Sequence, residues 1–293
     1  YVIGQFDGTR FRTEQKKEAL DYGFNFYATQ TWSDVPKDDG RCIQMAWMRG
    51  GKFPDMPFNQ QLTFPCVLSL RTVRDKMILC RYPVREIANL YRKEHSWKNV
   101  TASHGNTLLE NIKGELFDIE VEFDPGRSDA LGFKIHGKDV QYTTKTQAVV
   151  SCRTHPMKLV SSNGLVHLRI LVDRTSIEVF CNRGAITGAN CVLPLKNGPP
   201  PKLYINGGDA IIRSLKVREI KSIWPKNITR QPGPCTPHRP MCTTLSPTAT
   251  PCKTGDVLMR EQSGLRIVRG KTAVCRPSFF PSLGTPCPTA LAT

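Results

Sequence analysis

The chain has 293 residues, of which 39% are hydrophobic and 23% are charged. This composition is typical of a folded globular protein and excludes a wholly disordered one. No apolar run approaches the roughly 20 residues that span a bilayer, so we expect no membrane partner. Lysine and arginine exceed aspartate and glutamate by 16. No basic helix and no aromatic RNA-binding pattern accompanies this charge, so we also expect no nucleic-acid partner.

The cysteines and histidines show no metal-binding pattern. There are 11 cysteines, an odd number, so they cannot all pair within one chain. No C-x-x-C motif occurs, and the six histidines are scattered without an H-E-x-x-H motif. We therefore expect neither a metal nor another cofactor.

Residues 1–72 predict short antiparallel strands. Residues 24–32 are aromatic and β-prone, and a polar turn separates them from a second such run over residues 41–48. Two β-prone runs joined by a polar turn favour an antiparallel pair. A further strand is expected over residues 61–70, interrupted by Pro65.

Residues 73–95 change character and predict a linker with a short helix. Pro83 suits the first helical turn, where its missing N–H costs nothing. Apolar side chains then recur at helical spacing, at Val84, Ile87, Leu90 and Tyr91. We expect this segment to cross between two domains.

Residues 96–225 predict a β-sandwich. Asp118, Glu120 and Glu122 alternate with apolar residues, which is the period-2 pattern of a half-buried strand. Further short strands separated by polar turns are expected at residues 165–172, 175–181, 202–206 and 210–217. A segment of this length is sufficient for one sandwich core.

The last segment, residues 226–293, lacks this succession of short strands and polar turns. It is rich in Pro, Thr and Cys and carries nine Lys or Arg against two acidic residues. We therefore expect a basic and mostly disordered tail. Within it, only residues 256–268 have the composition of a short regular element.

Several segments resemble one family in order and spacing. In the first domain these are residues 1–8 (YVIGQFDG), 20–30 (LDYGFNFYATQ), 43–48 (IQMAWM) and 60–65 (QQLTFP). In the second domain they are residues 173–180 (DRTSIEVF), which are similar to a strand of that family's sandwich, and 221–225 (KSIWP), which look like its common ending. The family is glycoside hydrolase family 32, which comprises invertases, levanases and inulinases. The resemblance covers about the first 225 residues.

This resemblance implies an all-β fold, namely the last part of a five-bladed β-propeller followed by a β-sandwich. It implies a fructose-containing oligo- or polysaccharide as partner, and cleavage of β-fructofuranosyl bonds with retention of configuration. By their positions in the family motifs, Tyr27 and Trp47 would line the fructose pocket and Asp21 would contact substrate. Glu178 would pair across the interface between the two domains.

Each of these residues also has a plain structural interpretation. Tyr27 and Trp47 are aromatic residues of the kind that pack inside a sheet, and Asp21 fits the turn before its strand. For Glu178, strand alternation alone predicts a solvent-facing side chain.

The catalytic motifs of the family are absent from the 293 residues. In the family the nucleophile lies in WMNDPNG, a stabilising Asp in RDP and the acid/base Glu directly before a Cys, and none of these strings occurs. Nothing in the sequence brings Asp21 and Glu178 together as a substitute pair. We therefore expect the chain to begin after all three carboxylates and to be an inactive C-terminal fragment of a fructan hydrolase.

Two other classes of function stay open at this point. One is a non-catalytic carbohydrate-binding or interaction module built on the sandwich, and the other is a polyanion binder that uses the basic tail. Family members include secreted, periplasmic and cytoplasmic enzymes. For this chain we favour an extracellular or periplasmic location over a cytoplasmic one.

Overall fold

The computed structural model describes residues 1–54, 56, 58–193 and 199–223, together with the backbone of two short strands near residue 260. Apart from one 3₁₀ helix over Arg85–Leu90, every regular element in this part of the chain is a β-strand. Most of the predicted tail, residues 226–293, lies outside the described residues. Its expected disorder therefore stays a prediction.

The N-terminal part forms a small hairpin and one four-stranded antiparallel sheet. Its strands are β1 (Gln5–Phe6), β2 (Phe11–Arg12), β3 (Tyr27–Thr31), β4 (Cys42–Trp47), β5 (Cys66–Val73) and β6 (Lys76–Pro83). The hairpin pairs β1 with β2, and the sheet has the order β3-β4-β5-β6, so each strand pairs with the next along the chain. We call the four-stranded sheet the N-terminal sheet.

The N-terminal sheet continues beyond residue 72, where we expected this domain to end. Arg74 and Asp75 have φ angles of 49° and 63° and form the two-residue turn that joins β5 to β6. Such turns favour Asn and Gly, so an Arg-Asp pair carries little turn signal. Pro83 closes β6 instead of opening a helix, and the helical spacing after it forms only the 3₁₀ helix. The expected start of the linker is therefore corrected from residue 73 to residue 84.

Two further sheets follow and form a sandwich. Their strands are β7 (Tyr91–Ala102), β8 (Phe117–Asp124), β9 (Ser128–Ile135), β10 (Lys138–Thr143), β11 (Ala148–Ser151), β12 (Met157–Lys158), β13 (Val166–Asp173), β14 (Ser176–Cys181), β15 (Ile186–Cys191), β16 (Lys202–Gly207) and β17 (Ala210–Ile220). The six-stranded sheet has the order β15-β14-β13-β8-β17-β7, and the five-stranded sheet has the order β12-β11-β10-β9-β16. The sandwich thus begins at Tyr91, inside the segment expected to be linker.

The main core lies between these two sheets. Val121 and Phe123 of β8 are fully buried and belong to one apolar cluster with Leu131 and Phe133 of β9. Phe123 also meets Tyr142 of β10 edge to face, with ring centroids 5.8 Å apart. Burying one such side chain contributes about 1.5–3 kcal/mol, so this core makes the six-stranded sheet a rigid platform.

The opposite face of the six-stranded sheet carries ionic side chains beside the apolar Leu171 and Phe180, and it is also covered. Asp118 of β8 has no exposed surface, and its Oδ2 lies 2.7 Å from Nη2 of Arg169 on β13. Arg218 of β17 reaches Glu120 over 3.1 Å, and the hydroxyl of Tyr82 on β6 donates to the same carboxylate over 3.3 Å. The acidic face predicted on β8 therefore packs against the N-terminal sheet and the segment that follows it.

One more hairpin lies within the predicted tail. Its strands are β18 (Val257–Glu261) and β19 (Gly264–Val268), which pair with each other. Both lie within residues 256–268, the one part of the tail expected to form a regular element.

Candidate functional site

Asp21, one of the predicted substrate-binding residues, lies in the contact between the N-terminal sheet and the sandwich. Its Oδ1 accepts hydrogen bonds from the backbone N–H groups of Gly23 (2.8 Å) and Ala189 (2.9 Å). The hydroxyl of Thr187 donates to Oδ2 over 2.8 Å, and the side chain has no exposed surface. In this structure the carboxylate links the segment before β3 to β15 and is closed to solvent. Its predicted contact with substrate gains no support from this geometry.

Arg81 brings Asp21 and Glu178 together. Its Nη2 lies 3.1 Å from Oε2 of Glu178 and 3.7 Å from Oδ2 of Asp21. The rings of Phe26 and Phe180 flank the buried guanidinium, with centroids 4.6 Å and 5.3 Å away. Glu178 therefore faces the N-terminal sheet and is buried, which excludes the solvent-facing alternative. Nothing in the sequence indicated that the two carboxylates would meet, and Arg81 is the residue that joins them.

Two carboxylates share one guanidinium in this cluster, so a full countercharge is lacking. Burial raises the pKa of Glu178 to about 7, while Arg81 and the backbone N–H of Phe64, which donates to Oε1 over 2.8 Å, oppose the rise. Burial also raises the pKa of the neighbouring Cys66 thiol to about 12. Because these groups are enclosed, the cluster joins two domains and does not face a ligand.

Tyr27 and Trp47, the other predicted site residues, lie together at one end of the N-terminal sheet. They are paired across β3 and β4, with their rings edge to face and centroids 6.1 Å apart. The guanidinium of Arg49 lies 4.9 Å from the Tyr27 ring centroid, and Gln60 accepts a hydrogen bond from Nε1 of Trp47 over 2.5 Å. Tyr27 is 52% exposed, which excludes a core position for it. Aromatic faces and polar groups thus share one open surface.

A β-bulge sits beside Tyr27. Ala28 has a φ angle of 45°, a left-handed conformation that is uncommon for residues other than glycine, and the register of β3 on β4 shifts between Tyr27 and Gln30. Bulges change the direction of neighbouring side chains and are frequent next to binding sites. The strained backbone at Ala28 supports a functional role for this end of the sheet.

A cavity of about 1080 Å³ lies elsewhere, between the N-terminal sheet and the sandwich. Several of its cations already have partners. Arg71 donates to two backbone carbonyls of the sandwich, Lys76 pairs with Glu18, and Arg183 lies 3.6 Å from Glu122. This cavity therefore gives no support to a polyanion-binding function.

Neither a metal centre nor a membrane-spanning helix is found in the part of the chain that the structure describes. No group of three or more His, Cys, Asp or Glu residues is arranged there to hold a metal ion. The 3₁₀ helix is its one helical element and is far too short to cross a bilayer. Among the described residues, Cys66, Cys80, Cys152, Cys181 and Cys191 are free thiols.

Comparison with known families identifies the chain. Residues 1–83 match the N-terminal domain of glycosyl hydrolases family 32, and residues 86–219 match the C-terminal domain of the same family. The chain belongs to glycoside hydrolase family 32. The two family 32 matches meet between β6 and the 3₁₀ helix, which agrees with the corrected domain boundary.

The curated family 32 relatives are considerably longer than this chain. The chain is 30% identical to a levanase of Bacillus subtilis (strain 168) over 256 residues, which is 76% of this chain and 38% of the levanase. It is 30% identical to a raffinose invertase of Escherichia coli over 217 residues, which is 70% of this chain and 44% of the invertase. The chain therefore spans less than half the length of either relative.

Solved structures of family 32 confirm the fold. An exo-inulinase from Aspergillus awamori superposes with a TM-score of 0.65 at 21% identity, covering 76% of this chain and 50% of the inulinase. A fructofuranosidase from Schwanniomyces occidentalis gives a TM-score of 0.63 at 19% identity, covering 75% of this chain and 53% of that protein. The fold is thus that of the last part of a β-propeller followed by a β-sandwich, with the N-terminal sheet as a propeller blade.

Two residues at the contact between the N-terminal sheet and the sandwich were not predicted from the sequence. Arg81 is the single charged residue in an apolar run within β6, a pattern that signals a buried ion pair. Gln61 bonds to the sandwich through both ends of its amide, to Thr175 and to Ser176. A glutamine in a β-prone segment gives no such signal by itself.

Proposed function

We propose that this chain supplies the sugar-facing aromatic pair and the sandwich of an enzyme that cleaves β-fructofuranosyl bonds. The observation that carries the proposal is the pairing of Tyr27 and Trp47 beside Arg49 and Gln60 on an open surface. Sugar sites combine apolar faces, which contact C–H groups, with a few polar groups that bind hydroxyls. The relatives are named for levan, raffinose and inulin, and one structural neighbour was crystallised with fructose.

We further propose that these 293 residues bind the sugar without cleaving it. Retaining hydrolysis needs two accessible carboxyl groups about 5–5.5 Å apart, one as nucleophile and one as acid/base. The three acidic motifs of the family do not occur in the sequence. Asp21 and Glu178 do converge, but both are enclosed and bound to Arg81, so neither is free to attack or protonate a glycosidic bond.

Release of fructose tests the second part of this proposal. The purified 293-residue protein is incubated with sucrose, inulin and levan, and free fructose is measured. We expect no release above a heat-denatured sample. Turnover comparable with that of a complete family 32 enzyme would show that the argument from missing carboxylates is wrong.

Binding tests the first part. Titration calorimetry with levan-derived oligosaccharides should show binding that weakens about tenfold in Trp47→Ala, a loss of about 1.4 kcal/mol. Trp32→Ala is the matched control, because Trp32 is a half-exposed tryptophan directly after the other end of β3. Equal losses in the two variants, or no binding by the unaltered chain, would contradict the proposed sugar surface.

A further inference from the structure

Residues 60–64 lie between Trp47 and the sandwich. On one side this segment runs antiparallel to the end of β4, with a β-bridge between Leu62 and Trp47. The backbone N–H of Met48 donates to the carbonyl of Gln61 over 2.9 Å. Gln60 accepts from the indole N–H over 2.5 Å. The position of this segment therefore fixes both the backbone and the ring nitrogen of Trp47.

On its other side the same segment is held by β14 and the turn before it. The hydroxyl of Thr175 donates to Oε1 of Gln61 over 2.7 Å, and Nε2 of Gln61 donates to Oγ of Ser176 over 3.0 Å. Three residues further along the segment, the backbone N–H of Phe64 donates to Oε1 of Glu178 over 2.8 Å. Three hydrogen bonds thus join the sandwich to a segment that contacts Trp47.

The sandwich groups in these bonds are themselves rigidly placed. Thr175 and Ser176 have no exposed surface, and Glu178 is 1% exposed. Ser176 and Glu178 lie on β14, which pairs with β13 on one side and β15 on the other and is buried along its whole length. Both hydroxyls are fully buried while the amide of Gln61 is partly buried, so losing one hydroxyl removes a fixed partner from that amide. The amide then turns or shifts, and the segment moves with it.

We propose that Thr175, Ser176 and Glu178 are positioning residues of the sandwich that set the orientation of Trp47 through residues 60–64. This inference rests on the proposed function, because it assigns the sandwich a part in shaping the sugar surface. The sandwich then does more than cover one flank of the propeller. A change in the sandwich far from the sugar alters affinity with no loss of direct contact.

Fluorine NMR of the full chain labelled with 5-fluorotryptophan tests the proposal. The chain has four tryptophans, and Trp47→Phe assigns the Trp47 resonance. We expect Thr175→Val and Ser176→Ala to shift and broaden this resonance and to raise the Kd for levan-derived oligosaccharides about fivefold. Thr175→Ser keeps the hydroxyl and should restore both values. Urea midpoints establish that each variant is folded.

Thr187→Val is the matched control. Thr187 is a buried threonine of the same sheet, and its hydroxyl reaches across the same interface to Asp21 and not to residues 60–64. It should lower stability yet leave the Trp47 resonance in place. The positioning role is overturned if the resonance stays unchanged in Thr175→Val and Ser176→Ala, or if Thr187→Val moves it as far. If the wild-type chain does not bind the oligosaccharide, the proposed function is refuted, whether or not the Trp47 resonance moves in the variants.

Discussion

Arg81 joins two buried carboxylates of the domain interface. Its guanidinium is the group that opposes the charges of Asp21 and Glu178 inside the interface. Removing one partner of a buried ion pair is costly, because the remaining charge has neither water nor a counterion. We expect Arg81→Met to lower the free energy of unfolding by about 3–5 kcal/mol, measured by urea denaturation.

Two further variants separate charge from packing in this result. Adding Glu178→Gln to Arg81→Met should recover part of the loss at pH 8, because the double variant no longer has to protonate this carboxyl or bury its charge on folding. Arg12→Met removes an exposed arginine 3.5 Å from Asp7 and should leave the midpoint unchanged. A loss in Arg81→Met that Glu178→Gln deepens would mean that the guanidinium acts mainly by packing between Phe26 and Phe180.

Glu178 should make the stability depend on pH. Its ordinary pKa is 4.5, and burial raises it to about 7 in the folded protein. Between these values the folded state keeps a proton that the unfolded state has lost. The stability contributed by Glu178 is therefore full below pH 4.5 and is lost as the pH rises through 7.

Comparing the wild type with Glu178→Gln isolates this effect. The wild type should lose up to about 3 kcal/mol relative to the variant between pH 4.5 and 8, measured from urea midpoints at each pH. Other groups cancel in the comparison. Among them is Glu120, whose pKa is held well below its ordinary value by His167 and which acts in the opposite direction. Parallel curves for the two proteins would show that Glu178 is ionised throughout.

Single residues could be predicted from the sequence only where a motif marked them. Tyr27 and Trp47 came from family motifs, and the structure brings them together on one surface. Glu178 was marked too, but the alternation of β14 cannot tell which polar face another layer will cover. The contact of Asp21 with Glu178 through Arg81 could not be predicted, because Arg81 is 60 residues from Asp21 and 97 residues from Glu178 in the chain.

At the scale of elements, the docking of the segment before β3 onto β15 requires a glycine at position 23. A Cβ atom there would lie 2.1 Å from the carbonyl oxygen of Ala189, which is backbone and cannot move aside. Gly23→Ala should therefore cost about 1–3 kcal/mol in urea denaturation. The matched control is Gly188→Ala, since a Cβ at that nearby position on β15 meets nothing closer than 3.4 Å. Similar costs for the two variants would show that the close approach at Gly23 is unimportant.

Strand patterns were predictable where polar and apolar residues alternate and glycine or aspartate marks the turns. The bounds of β8, β13, β14, β16 and β17 all lie within three residues of their expected positions. The boundary after β5 failed because Arg74 and Asp75 occupy a turn that usually carries Asn or Gly. The helix after Pro83 was shortened to 3₁₀ form because Val84 and Tyr91 on either side are extended.

For the whole molecule, we expect local stability to be highest in strands that are covered on both faces and lowest in exposed strands. The strands β8, β13 and β14 lie inside the six-stranded sheet, with the main core on one face and the N-terminal sheet on the other. The β1–β2 hairpin has two residues in each strand and is mostly exposed. Hydrogen exchange followed by mass spectrometry should show the slowest amides in β13 and the fastest strand amides in β1 and β2. Equal protection of β1 and β13 would contradict this order.

The face that the sandwich turns towards the propeller blade carries ionic side chains, among them Asp118, Glu120, Arg169 and Arg218. The same face also carries Leu171 and Phe180, which are fully buried in an apolar cluster with Ile43 and Cys66 of the N-terminal sheet. A new neighbour for this sandwich would therefore have to cover two apolar side chains as well as supply partners for the ionic ones. In the design of a chimeric enzyme, the blade that packs on this face would accordingly have to be transferred together with the sandwich.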